Sequence, residues 1–209
     1  MKAKIKSRAS RAAIFERLHR LLGPEAEPII QRVIERLDSG DTTAGISELK
    51  AYDDTIGGYC GMPEEWCKPD GAYRPLGYVP MFLDSRHHRD MSRYVVDAIG
   101  QHVENLLQRI GHLGFLNAIS SQMFPMGKLV KSMRLFLPKQ LYEDLQWLAS
   151  EVYNHAKHSL DVFHRPTPEE RAHYFQLEEA LAVFLIGRKL AVQLENWSGK
   201  TQEELMAER

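Results

Sequence analysis

Six consecutive residues, Tyr153-Asn154-His155-Ala156-Lys157-His158, carry the strongest chemical signal in this chain. Asn154 and His158 stand one helical turn apart, so on a helix both side chains can reach one ligand. Histidine is the side chain whose ordinary pKa suits proton transfer near neutrality. An amide beside it can orient a substrate or bind phosphate. Glu151 and Asp161 lie about a turn to either side and would favour the protonated imidazole. Tyr153 and Lys157 pair in the same way on a neighbouring side. The ordinary alternative is a solvated or interfacial face, since polar stripes are the normal exterior of helices.

The element that must position these groups is a helix expected from Pro138 to about Phe163. Leu141, Leu145, Leu148, Val152, Ala156, Ser159 and Phe163 recur at spacings of three and four and form its core stripe. Trp147, Glu151, Asn154, His158, Asp161 and Arg165 form a second, polar stripe about a third of a turn away. Lys157 falls off that polar face.

Helical periodicity dominates elsewhere too, and no segment alternates convincingly as a strand. Helices are expected over Ser10 to Leu22, Glu25 to Leu37, and from Thr42 or Thr43 as cap to about Tyr52. A long helix is expected from Ser85 to Ile110, with shorter ones over Gly114 to Ser121 and Met126 to Leu135. Thr167-Pro168-Glu169-Glu170 reads as a start signal for a last large helix. It continues through Phe175 to about Trp197, with a short tail from Thr201. Between residues 56 and 84 the chain turns rich in Gly, Pro, Tyr and Trp, and reads as an ordered junction. The fold class expected is all-α: a helical bundle over 85–209, preceded by an N-terminal helical segment over 1–55.

Composition sets limits. The chain has 209 residues, is 44% hydrophobic and 26% charged, and carries a net charge of −1. It can bury a core of its own, and no whole-molecule field draws it to nucleic acid. Any anion contact must be local. Arg86, Arg89 and Arg93, around His87-His88, form one such basic group at the start of a long helix. There they oppose the helix dipole, which suits either a phosphate contact or a solvated start beside Asp84 and Asp90. The cluster Lys2, Lys4, Lys6, Arg8 and Arg11 is a second, read as a frayed arm. Cys60 and Cys67 lie seven apart with His87-His88 beyond. That spacing matches no familiar zinc knuckle, so a packed loop is preferred and zinc is the weaker alternative. No phosphate-binding glycine loop, dinucleotide fingerprint or zinc-protease motif occurs, and no cofactor is expected. No signal peptide or apolar stretch of spanning length is seen, so a cytosolic protein with no membrane contact is expected.

Asn154-x-x-x-His158, late in one long helix and followed by another, resembles the HEPN superfamily of small helical bundles. The resemblance covers about 85–197, including Gln101-His102-Val103-Glu104-Asn105-Leu106-Leu107. Asn154 and His158 match two anchor positions of the family motif, and Lys157-His158 matches a related Asn-x-x-Lys-His core. Tyr153 stands where the family has arginine. The resemblance implies a dimer whose shared cleft cleaves RNA without metal. Histidine assists attack by the ribose 2′-hydroxyl, and arginine stabilises charge building on phosphorus. That charge needs positioned donors, and tyrosine carries no fixed cation. The expectation is therefore an RNA-directed, defence or toxin–antitoxin-type protein, degenerate in its chemistry. His158, Asn154 and Lys157 are its candidate catalytic residues. A homodimer or protein complex and RNA are its candidate partners. The second expectation is a silent interaction module or complex subunit, and the third a zinc-stabilised regulatory protein using Cys60 and Cys67.

Overall fold

The computed structural model describes residues 8–57, 74–111, 124–158 and 175–200. Every regular element among them is helical. Three N-terminal helices are α1 (Arg11–Leu22), α2 (Ala26–Asp38) and α3 (Thr42–Ile56). Short helices α4 (Arg74–Gly77) and α5 (Val79–Leu83) and a 3₁₀ turn (His88–Met91) lead into α6 (Ser92–Ile110). Then come α7 (Met126–Ser132), α8 (Lys139–Trp147), a π-helical turn (Leu148–Tyr153), α9 (Asn154–His158) and α10 (Leu177–Ser198).

Local chemistry explains most of the ends. The Ser10 hydroxyl accepts from the Ala13 N–H at the start of α1. The cap of α3 is Asp41 rather than Thr42 or Thr43, its carboxylate accepting from the Ala44 N–H. That helix runs four residues past the expected Tyr52, to Ile56, because nothing breaks it before Gly57. Gly199, in the left-handed region, closes α10.

Three further boundaries differ. The long helix begins at Ser92, not Ser85, since His88 and Arg89 are drawn onto Asp38 at the end of α2. The helix expected to 135 ends at Ser132, and residues 133–137 form a turn. The last helix does not run through Phe175. Gln176 is extended and starts α10 with a capping box, exchanging bonds with Glu179. The expected Thr167 start, the Gly114 to Ser121 helix and the tail lie outside the described residues.

The core is built on α6 and α10, which pack along each other. Almost every residue of α10 from Leu177 to Leu194 is buried, so it is a central helix enclosed on all sides. Its Gly187 makes the approach of α6 possible. A Cβ there would stand 2.3 Å from Cγ1 of Ile99. Helices α1, α2 and α3 cover α10, while α4, α5, α7 and the π turn cover α6. One continuous apolar cluster runs from Ala9 to Leu194, so the N-terminal helices share the core of the bundle. Each fully buried Leu or Ile contributes roughly 1.5–3 kcal/mol of transfer free energy.

Charged pairs lock this arrangement at long sequence separation. Asp144, fully buried on α8, accepts from Arg17 Nε at 2.7 Å and also from Arg20, tying α1 to α8. Asp53 of α3 accepts from Arg188 Nε at 2.8 Å, with both side chains out of solvent. Arg8 donates to Glu179 at 2.9 Å and lies over the ring of Phe175.

Candidate functional site

Leu141, Leu145, Leu148, Val152 and Ala156 are all buried, as their spacing requires. The polar stripe is altered by the π turn at Leu148–Tyr153. A π turn adds one residue to a helical turn and so rotates everything after it. Two of its neighbouring carbonyls bond elsewhere. The Gln146 carbonyl accepts the Ser150 hydroxyl at 2.8 Å, and the Glu151 carbonyl accepts the Ala9 N–H at 2.9 Å. Trp147, the residue just before that turn, is not on a polar face either. It is buried, with the Arg17 guanidinium 4.1 Å from its ring centroid.

Tyr153 is the centre of the site. Only 1% of it is exposed. Its hydroxyl donates to Glu104 Oε2 at 2.8 Å, across from the π turn to α6. Its ring lies against Gly100, one turn before Glu104, where a Cβ would come within 2.1 Å of Cδ2. Glu104 is buried and holds three elements together. Its Oε1 accepts the Met126 N–H at 2.6 Å, at the start of α7, and its Oε2 is also 3.4 Å from Lys157 Nζ. Lys157 in turn lies 5.2 Å from the Tyr153 ring centroid, so these two do pair on their own side of the helix.

The electrostatics follow from burial. Desolvation, then the charges of Glu104 and Asp97, push the Tyr153 phenol far above its ordinary pKa, so it stays a proton donor. Asp97, one turn before Gln101 on α6, is also raised. Burial is the main cause, opposed by Lys157 and by the Gln101 amide, which donates to its Oδ2 at 2.8 Å. Its Oδ1 has no partner among the described residues.

The remaining sequence candidates divide. Asn154 is exposed, and Glu151 is half-buried beside it. His158 ends α9, and its side chain lies outside the described residues, as do Asp161, Cys60 and Cys67. The basic group is dispersed. Arg89 and His88 hold Asp38, Arg93 donates to the Tyr94 hydroxyl at 2.8 Å, and Arg86 is exposed. No cluster of three or more His, Cys, Asp or Glu suited to a metal occurs among the described residues. No described helix is long and apolar enough to cross a membrane.

Glu104, Asp97 and Gly100 escaped the sequence reading. A signal existed: Glu104 sits between Val103 and Leu106-Leu107 on a face that is otherwise apolar, four residues after Gly100. A carboxylate there must find partners when buried. Its partners lie 22, 49 and 53 residues away, which no local pattern reveals. No family model, curated protein or solved structure matches this chain.

Proposed function

We propose that this chain is a HEPN-like helical protein, degenerate in ribonuclease chemistry, that acts as a binding subunit in an RNA-directed or toxin–antitoxin-type assembly. One observation carries this reading. Tyr153, at the position of the family's arginine, is a buried neutral donor to Glu104. Phosphoryl transfer needs a cation free to meet charge developing on phosphorus. Lys157 is the cation beside Tyr153, and it stands 3.4 Å from the Glu104 carboxylate, which offsets its charge. Its head remains partly exposed, as does Asn154 one turn earlier. This leaves an exposed Asn154/Lys157 edge suited to contact rather than catalysis, in a homodimer or with another chain.

The test is incubation of purified protein with mixed RNAs, with and without EDTA, beside a His158→Ala variant. The expected result is no cleavage above background in either protein. EDTA-resistant cleavage that disappears in His158→Ala would overturn the reading and assign a working nuclease.

A further inference from the structure

Among the described residues, the turn between α7 and α8 carries two adjacent exposed large apolar side chains. Leu135 is 92% exposed and Phe136 half exposed at 50%. This is not a loose excursion. Met133 and Leu137, on either side, are buried, and both the Phe136 and Leu137 N–H groups donate to the Met133 carbonyl at 3.0 Å. The backbone thus holds Leu135 outward from two buried anchors. An exposed leucine held this way gains nothing from folding, so its free energy is available to an apolar environment outside the molecule.

The charges around it share one sign. Lys128, Lys131, Arg134 and Lys139 are all exposed, and no acidic residue occurs from 124 to 142. Lys128 and Lys131 are one turn apart on α7, opposite buried Leu129 and Val130. Glu143 is the first acid beyond, 3.9 Å from Lys139. Since the chain as a whole carries −1, this is a local positive patch on a nearly neutral molecule.

We propose that this turn docks on the anionic face of a lipid bilayer, with Leu135 and Phe136 entering the headgroup–acyl boundary and the four cations meeting acidic headgroups. The combination favours lipid over RNA. Leu135, the more exposed of the two, has no ring on which a base can stack, and Phe136 is half covered, whereas apolar insertion ringed by Lys and Arg is how peripheral segments hold a charged membrane. The docking spans nothing and needs no transmembrane helix. It is independent of the ribonuclease-related reading above.

The experiment is co-sedimentation of the full chain with vesicles of phosphatidylcholine alone and of phosphatidylcholine with phosphatidylserine, at low and high salt. The protein is expected to pellet with the phosphatidylserine vesicles and to be released by salt. Lys131→Ala and Arg134→Ala should each weaken binding about fivefold, and Leu135→Ser roughly tenfold. All three sites are exposed, and circular dichroism checks that each variant folds. Absence of binding, equal binding to uncharged vesicles, or full binding by Leu135→Ser overturns the proposal. A gel shift of a labelled RNA homopolymer, with vesicles leaving the protein in the supernatant, overturns it in favour of nucleic acid.

Discussion

Substituting alanine at two glycines separates close packing from helix propensity. Both Gly100 and Gly127 lie in helices, where Ala is favoured over Gly by roughly 0.5–1 kcal/mol. At Gly127 a Cβ meets nothing within 4 Å, so Gly127→Ala should stabilise by up to about that amount. At Gly100 the same Cβ would stand 2.1 Å from Tyr153 Cδ2. Ordinary carbon contacts are about 3.5–4 Å, so the ring must retreat by well over an ångström. It has little room to do so, being almost wholly buried and bonded to Glu104 at 2.8 Å. Overpacking costs about 1–3 kcal/mol, and stretching a bond to a buried carboxylate adds about 1.5–3 kcal/mol. After the propensity gain, Gly100→Ala should destabilise by about 1.5–5.5 kcal/mol. For a chain of this size that is a fall in melting temperature of roughly 3–20 °C. Urea unfolding followed by circular dichroism measures both variants, and a shifted midpoint at unchanged slope identifies a stability effect. Should Gly100→Ala prove as stable as the parent, or move in the same direction as Gly127→Ala, the Tyr153 ring does not fill the space beside Gly100.

Two further perturbations probe the buried and surface charges. Asp53→Ala should cost about 3–5 kcal/mol in urea unfolding, because it removes the carboxylate that meets Arg188 in the core, whereas Asp53→Leu with Arg188→Met should cost far less. Equal losses in the single and double variants would show that packing, not charge pairing, matters there. Stability should also fall in acid. Hydrogen bonds from Arg89 and Arg32, foremost among their partners, hold Asp38 and Glu48 below their ordinary values of 3.8 and 4.5. Their contribution is complete above those values and is lost as pH falls through the lower, folded-state ones. A melting temperature followed from pH 6 to about pH 2 should therefore drop less steeply in Asp38→Asn/Glu48→Gln than in the parent, and parallel curves would refute the linkage.

What the sequence determined by itself was local. Apolar residues at spacings of three and four and caps such as Ser10 and Gly199 require only nearby atoms, so the all-helical class and the leucine face of α8 were legible, while the short helices α4 and α5 in the Gly/Pro-rich junction were not. Asn154 and Lys157 are both exposed, while Tyr153, which the helical spacing pairs with Lys157, is buried. Tertiary structure decided the rest. It set the fate of Tyr153, the π turn at Leu148–Tyr153, the burial of Trp147 beside Arg17, and the three-way role of Glu104. It also chose Asp38 as the partner of Arg89, and so moved the start of α6 by seven residues. The reason is physical: a side chain's burial is set by its helix's own period, but the partner that compensates a buried charge comes from whichever helix packs opposite. That choice is made by the whole fold and by gaps such as the one at Gly100, not by neighbours along the chain.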